Sequence, residues 1–325
     1  MRWVGNDKLH EGPWPHCKWQ VPTMERRAMN PSRVLFVGRT TLDVLYWLDR
    51  LPEEDTKVYA RHLQAAPGGP ALNAAFTHSL LGGKSLLISA VGGGPWAAQL
   101  RTELTRHSLD LLDLAAGTAY EAPLCTVLVS AQNSTRTIVN PPISTVALKH
   151  LGPEWTAEVP AAWGEIPPVV LSDGFFLEET SSLLAACENA GSALVLDGGS
   201  WKPGTAQLAP LLTAAICSER FTIPGRPTGP DSIFAWFAAQ GVPYIAVTRG
   251  AKSILGWERG HRFEIEPAPI DAKDTLGAGD VLHGAFCHHF ALQPDFEPAL
   301  RQASALATLS CQTLGAQSWA TQHLL

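Results

Sequence analysis

The sequence lacks the marks of nucleic-acid, membrane and metal-binding proteins. Its net charge is −6 and no basic block stands out, which argues against a nucleic-acid partner. No apolar run approaches the roughly 20 residues that cross a bilayer, so no membrane span is expected. The six cysteines form no Cys-x-x-Cys pair and show no metal-like spacing with histidine. This usage favours free thiols in a reducing compartment, and hence a cytoplasmic protein.

Two common nucleotide-binding motifs are also absent. No Walker A sequence occurs, and no Gly-x-Gly-x-x-Gly follows the first predicted strand, which disfavours a Rossmann-type dehydrogenase. With 325 residues, of which 46% are hydrophobic and 17% are charged, the chain suits one large α/β domain or two modest ones.

Residues 1–30 differ in composition from the rest of the chain. They hold Trp3, Trp14 and Trp19 and all three methionines, without the apolar stretch of a secretory signal. We therefore predict a poorly ordered N-terminal extension over residues 1–30 and a folded domain over residues 31–325.

The most informative stretch is Asp-Thr-Leu-Gly-Ala-Gly-Asp at residues 274–280, directly before a predicted helix. Small residues at a helix N-terminus expose unpaired backbone N–H groups to an anion. Gly277, Ala278 and Gly279 are therefore predicted to bind a phosphate, and Asp280 to deprotonate an attacking hydroxyl. A plain glycine turn followed by an ordinary acid in the first helical turn is the alternative.

A second glycine motif, Gly-Gly-Pro-Ala-Leu-Asn-Ala-Ala, occupies residues 68–75. Gly68 and Gly69 tolerate a close backbone approach and positive φ angles. The side-chain amide of Asn73 offers both a donor and an acceptor to a polyol. A glycine turn before an alanine-rich helix would explain the same residues.

The two motifs, in this order and about two hundred residues apart, resemble the signatures of the ribokinase-like (PfkB) carbohydrate kinases. The resemblance implies an α/β fold with a doubly wound, mainly parallel sheet flanked by helices, and a small β lid over the sugar. It implies ATP-dependent transfer of the γ-phosphoryl group to a hydroxyl of a ketose or related carbohydrate, with ATP and Mg²⁺ as cofactors. Gly68, Gly69 and Asn73 would hold the sugar, and a homodimer would form through the lid.

The alternation of apolar and helical segments is typical of parallel βαβ units. Main-sheet strands are predicted at residues 34–38, 86–91, 169–172, 193–196, 215–217 and 244–248. Helices are predicted at 180–190, 232–239 and 296–313. The lid is predicted from about 44–66 and 124–140, with strands at 44–49, 57–64, 125–131 and 137–140.

Asp43 follows the first strand, at the edge where open α/β sheets bind their ligands. The resemblance implies that Asp43 binds sugar hydroxyls, and capping of a turn is the alternative. On the nucleotide side, residues 247–252 resemble the family's turn beside ATP, although a plain β-hairpin turn explains them equally well. The resemblance implies ATP contacts by Thr248, Gly250, Thr275, Gly277 and Gly279.

The chain departs from the family pattern in two places. Where the family has an Asn-x-x-Glu motif for magnesium, Ser218 and Phe221 take the Asn and Glu positions, and Glu219 is predicted to be an outer-shell ligand. Where the family commonly has Val-Gly-x-Asp-x-x-Gly, Gly94 and Ala97 replace the Asp and the last Gly. An unusual acceptor is therefore expected.

Within the family, stretches such as Gly-Arg-Thr-Thr-Leu-Asp at residues 38–43 and Lys-Val-Tyr-Ala-Arg at residues 57–61 resemble bacterial sulfofructose kinases. The resemblance implies that Lys57 and Asn140 help to hold a sulfonate, but Phe175 stands where a third ligand, an arginine, is expected. An uncharged ketose is therefore the predicted acceptor, with the sulfosugar as the alternative. A kinase for a nucleoside or vitamin-like alcohol and a non-catalytic sugar sensor are further alternatives on the same scaffold.

Overall fold

The computed structural model describes residues 31–132, 135–158, 163, 166–313, 315, 317 and 319. The predicted extension, residues 1–30, lies outside the described residues. The strands are β1 (Arg33–Val37), β2 (Thr41–Leu48), β3 (His62–Gly68), β4 (Lys84–Ser89), β5 (Asp110–Asp113), β6 (Leu124–Ser130), β7 (Thr135–Val139), β8 (Val169–Ser172), β9 (Ala193–Gly198), β10 (Ala214–Ser218), β11 (Tyr244–Arg249), β12 (Lys252–Glu258) and β13 (His261–Ile265). The α-helices are α1 (Pro70–Leu80), α2 (Ala97–Arg106), α3 (Leu177–Asn189), α4 (Thr205–Leu208), α5 (Pro230–Ala239), α6 (Ala278–Leu292) and α7 (Phe296–Ser310).

The main sheet has nine strands in the order β13-β12-β11-β10-β9-β8-β1-β4-β5. The strands from β11 to β5 pair in parallel, and β12 and β13 add an antiparallel edge. From β1 the chain proceeds to β4 and β5 on one side and later to β8, β9 and β10 on the other. The gap between β1 and β8 is therefore the topological switch point, beside which doubly wound sheets bind their ligands.

Strand β1 shows why this sheet is buried on both faces. Its residues Val34 to Val37 are fully inaccessible to solvent, as expected for a parallel strand covered by helices on either side. Because successive side chains point to opposite faces, Val34 and Phe36 join a core with α1, α6 and α7, whereas Leu35 and Val37 join a core with α3 and α5. The predicted doubly wound α/β fold is confirmed.

The packing of α1 against α6 is unusually close at one point. A side chain at Gly284 of α6 would overlap the carbonyl oxygen of Ala74 and the side chain of Thr77 in α1. Glycine here lets the two helix backbones touch. The contact fixes the distance between the N-terminal halves of α1 and α6, where the two predicted signatures lie.

A separate sheet of four strands, in the order β3-β2-β6-β7, forms the predicted lid. One face buries Leu45, Trp47, Val127 and Val129 together. The opposite face exposes a second apolar set, comprising Leu63, Leu124 and Val139. A homodimer through the lid stays a prediction.

The strand predicted at 57–64 begins only at His62. Strand β2 ends at Leu48, and Trp47 already pairs with His62 and accepts a hydrogen bond from the amide of Arg61. Residues 57–60 therefore lie beyond the end of β2. None of the helices in the described part of the chain has the length and apolar character of a membrane span.

Two buried histidines link α1 to α6 beneath the sheet. The hydroxyl of Ser32 lies 3.1 Å from Nε2 of His78 and 3.2 Å from Nδ1 of His288. Nδ1 of His78 also lies 2.7 Å from the hydroxyl of Ser85. Burial lowers the pKa of His78 to about 3 and that of His288 to about 4, so both rings are neutral in the folded protein near neutral pH.

These neutral histidines should make stability depend on pH. In the unfolded chain each histidine takes up a proton below about pH 6.5, whereas the folded protein does not, so their stabilising effect is complete above that pH and is lost as the pH falls toward about 4. Below about pH 6.5, His288 should lower the free energy of unfolding of the wild type by about 1.4 kcal/mol per pH unit. This contribution should be absent from His288→Gln. Urea unfolding between pH 7.5 and 5 measures it.

The comparison must be between wild type and variant at each pH, because the raised pKa values of Asp173 and Asp280 act in the opposite direction. If the free energy of unfolding depends on pH in the same way in both proteins, the pKa of His288 is not lowered in the folded state.

Candidate active site

The phosphate-binding loop predicted at 277–279 forms the N-terminus of α6. Gly277 precedes the helix with a φ of 72°, and no side chain caps the helix. A Cβ built on Gly279 would meet no atom within 4 Å. The amide of Ala278 donates a long hydrogen bond of 3.4 Å to the carbonyl oxygen of Thr275. The N-terminus of α6 has no side-chain cap and has space beside Gly279, so its first N–H groups could bind an anion.

Asp280 lies in the first turn of α6, and its carboxylate meets α1. Nδ2 of Asn73 donates a hydrogen bond of 2.7 Å to Oδ2 of Asp280. Burial and the nearby charge of Asp197 raise the pKa of Asp280 to about 7, although Asn73, His283 and Arg136 act in the opposite direction. The carboxylate is thus a stronger base than an ordinary aspartate.

A second buried acid, Asp197, ends β9 beside α6. Its Oδ2 lies 3.4 Å from Nδ1 of His283 and has no hydrogen-bond partner among the described residues. Nδ1 of His283 also lies 2.7 Å from the carbonyl oxygen of Gly279, and Nε2 lies 3.1 Å from that of Ile216. His283 therefore links the first turn of α6 to β9 and β10.

Asp43 and Gly68 are adjacent across the β2 and β3 pair. Thr41 donates a hydrogen bond of 2.6 Å to Oδ1 of Asp43, and a Cβ built on Gly68 would overlap the Asp43 carboxylate. Burial raises the pKa of Asp43, while Thr41 and Arg39 oppose that rise. Gly68 therefore makes room for Asp43.

Gly69 serves a similar purpose at the start of α1. Its φ is 104°, and a Cβ would overlap the carbonyl oxygen of Arg39, which follows β1. Only glycine combines that conformation with that approach. The predicted pair Gly68 and Gly69 thus joins the lid, β1 and α1 at one place.

Asp173 is a site residue that our sequence reasoning did not single out. Its carboxylate accepts hydrogen bonds from the backbone amides of Arg39 at 2.8 Å, Phe175 at 3.0 Å and Ala71 at 3.3 Å. Burial raises its pKa to about 6. Its position after the apolar strand at 169–172 was the available signal, because acids at carboxyl ends of parallel strands often face ligands.

The lid contacts the residues just before the predicted phosphate-binding loop. Nη1 of Arg136, on β7, donates a hydrogen bond of 3.0 Å to the hydroxyl of Thr275. Leu276 packs against the lid's buried cluster, which contains Leu45 and Trp47. The lid therefore packs against the segment that leads into α6.

Of the two predicted sulfonate ligands, Asn140 lies near Asp43 and Lys57 does not. The thiol of Cys125 donates a hydrogen bond of 3.2 Å to Oδ1 of Asn140, and Cys125 pairs with Asp43, so Asn140 lies near the predicted sugar site. Lys57 lies in an exposed segment, with its ammonium 6.0 Å from the ring centre of Tyr59. No contact within the described residues brings Lys57 to Asp43.

The nucleotide-side residues lie at the carboxyl ends of β10 and β11. The amide of Glu219 donates to the carbonyl oxygen of Thr248 at 2.9 Å, and the Glu219 side chain is exposed. Gly250, with a φ of 63°, forms the turn of the hairpin between β11 and β12. Residues 247–252 thus form a hairpin turn. This turn also borders the edge of the sheet where ATP is predicted to bind.

Comparison with known proteins identifies the family. Residues 31–323 match the model of the pfkB family of carbohydrate kinases, and the chain belongs to this family. It is 23% identical to ribokinase from Bacillus subtilis over 293 residues, which cover 87% of this chain and 94% of that protein.

Solved structures support the same conclusion. A candidate ribokinase from Agrobacterium tumefaciens superposes with a TM-score of 0.75 at 26% identity, covering 90% of this chain and 94% of that one. Ribokinase from Arabidopsis thaliana, solved with ribose and ATP, superposes with a TM-score of 0.69 at 20% identity, covering 91% and 99% of the two chains. The ribokinase-like fold is confirmed.

The overlap between Gly68 and Asp43 gives a direct test of the acceptor site. Gly68→Ala should push the Asp43 carboxylate away and raise the KM for the acceptor at least tenfold, which corresponds to about 1.4 kcal/mol. The KM for ATP should hardly change. Steady-state kinetics with each substrate varied in turn measures both.

Gly93→Ala is the matched control, because a Cβ there would meet its nearest neighbour at 3.7 Å, an ordinary contact. Equal effects of the two substitutions, or an unchanged acceptor KM in Gly68→Ala, would contradict the assignment.

Proposed function

We propose that the protein is an ATP-dependent sugar kinase that transfers the γ-phosphoryl group to a hydroxyl of a ketose or related carbohydrate. One juxtaposition carries the proposal. Asp280, whose pKa is raised to about 7, lies beside uncapped helix amides and across from Asn73. A general base and an anion site thus occupy one helix turn, as phosphoryl transfer to an alcohol requires.

The residues of the chain would act as follows. Asp280 takes the proton of the acceptor hydroxyl, whose oxygen attacks the γ-phosphorus while the bond to the β-phosphate oxygen breaks and ADP leaves. The amides of Gly277, Ala278 and Gly279 stabilise the charge on the transferred group. Asp43 and Asn73 orient the acceptor, and the two glycines at 68–69 let the backbone approach it. Thr248, Gly250 and Thr275 border the ATP phosphates.

Magnesium fits the acidic edge of the sheet. Asp197 has one buried oxygen without a donor, and Glu219 presents an exposed carboxylate after the neighbouring strand. Within the described residues, no group of three or more ligating side chains is assembled for a metal. Since Mg²⁺ usually keeps several waters, Asp197 and Glu219 would hold it together with the nucleotide. The ion would neutralise phosphate charge.

Removing the base tests the proposal. Asp280→Asn should lower kcat by about 10²- to 10⁴-fold, the usual contribution of a general base, while binding of a non-hydrolysable ATP analogue is retained. A screen of ketoses, aldoses and nucleosides, which follows ADP formation and analyses the product, identifies the acceptor. The kcat values of the wild type and the variant are then compared with that acceptor. Asp271→Asn, in an exposed acid, is the control.

Near-normal turnover by Asp280→Asn would refute the role of Asp280. ADP formation with nucleosides but not sugars would favour a nucleoside or vitamin-type kinase. No turnover with any acceptor, together with sugar binding, would favour a non-catalytic sensor.

The pH profile tests the environment of Asp280. Below about pH 7 the group is protonated and cannot accept a proton, so kcat/KM should rise with pH through about 7. Asn73 donates to the ionised form and lowers the pKa, so Asn73→Ala should move this rise to higher pH. Asn189→Ala, in an exposed residue of α3, is the control. A rise centred near pH 4, or one that Asn73→Ala leaves in place, would contradict the assignment.

A further inference from the structure

Two cations meet over one aromatic ring at the switch point of the sheet. The Arg39 guanidinium carbon lies 5.2 Å from the ring centre of Phe175, and the Lys202 ammonium lies 4.7 Å from it. The three residues follow β1, β9 and β8, which are neighbours in the sheet. The two charges are therefore no farther apart than the sum of those distances.

Neither cation has a direct counter-ion in the described part of the chain. No carboxylate there lies within 4.0 Å of the Arg39 guanidinium or the Lys202 ammonium. The Lys202 ammonium instead donates to the hydroxyl and the carbonyl oxygen of Ser200. Both side chains are half-buried, where like charges repel more strongly than in water.

The same two cations border the predicted acceptor site. The backbone of Arg39 donates to Asp173 and lies against Gly69. Its guanidinium is close enough to Asp43 to oppose the rise that burial causes in the pKa of that carboxyl. The Lys202 ammonium lies close enough to Asp173 to lower the pKa of that carboxyl. Carboxylates that suit hydroxyl groups and a cationic pair that suits an anion thus lie near one another.

We propose that the acceptor is an anionic sugar whose sulfonate, phosphate or carboxylate group is held by Arg39 and Lys202 beside Phe175. This inference rests on the proposed kinase function. The absence of an arginine at position 175 argued for an uncharged acceptor. Two cations from other strands now occupy that neighbourhood, and the Phe175 ring attracts both through its π face.

The test compares neutral acceptors with acceptors that carry an anionic group at one end. D-Fructose, fructose 6-phosphate and 6-deoxy-6-sulfofructose share one ketose, and D-glucitol and D-gluconate form a matched pair for the carboxylate. We expect kcat/KM to be at least tenfold higher for one or more of the anionic sugars than for its neutral counterpart. The sugar with the largest preference identifies the anionic group.

Variants locate the preference on the chain. Arg39→Gln and Lys202→Met should each reduce the ratio of anionic to neutral kcat/KM by about 10²-fold, the loss expected for a charged hydrogen-bonding partner. Arg106→Gln, an exposed arginine paired with Glu103 on α2, should leave the ratio unchanged. Melting temperatures check that each variant is folded.

Equal or better use of the neutral sugars by wild type, or a ratio insensitive to both variants, would overturn the inference and leave the kinase proposal intact. If no acceptor is phosphorylated, calorimetric binding of the same sugars tests the anion site independently of kinase activity. Tighter binding of the anionic members, lost in Arg39→Gln, would support the anion site while the kinase proposal fails. Absence of that preference would refute the anion site as well.

Discussion

The close contact between α1 and α6 is the constraint on which the site depends. Gly284 has no side chain, so the backbones of the two helices touch at Ala74. This contact places Asn73 of α1 within 2.7 Å of Asp280 of α6. A larger residue at position 284 would force the helices apart and separate Asn73 from Asp280. The helix contact thus joins two predicted motifs that lie about two hundred residues apart in the chain.

The electrostatics of the site follow from burying several acids at one edge of the sheet. Burial raises the pKa of Asp43, Asp173 and Asp280, because a charged carboxylate loses hydration there. Backbone amides partly offset this cost at Asp173, and Asn73 and His283 do so at Asp280. The outcome is a carboxylate at Asp280 that ionises near neutral pH beside the uncapped N-terminus of α6, which suits the proposed deprotonation of an alcohol.

The main strands, the uncapped loop at 277–279 and the glycine pair could be predicted from local patterns. The composition of apolar runs such as Val34 to Val37 predicts that they are buried. Small residues before an apolar helix predict an anion site. The start of β3 could not be predicted in this way. Residues 57–60 have suitable side chains, but they lie beyond the end of β2.

The sequence by itself determined the fold class, the family and the two signatures, because these depend on short-range spacing and on residues with special backbone freedom such as Gly69 and Gly277. Only the tertiary structure decided that Asp173 joins the site, that Arg136 reaches Thr275, and that Arg39 and Lys202 converge on Phe175. Those contacts join strands far apart in the chain, and their geometry arises only when the sheet and its helices pack together.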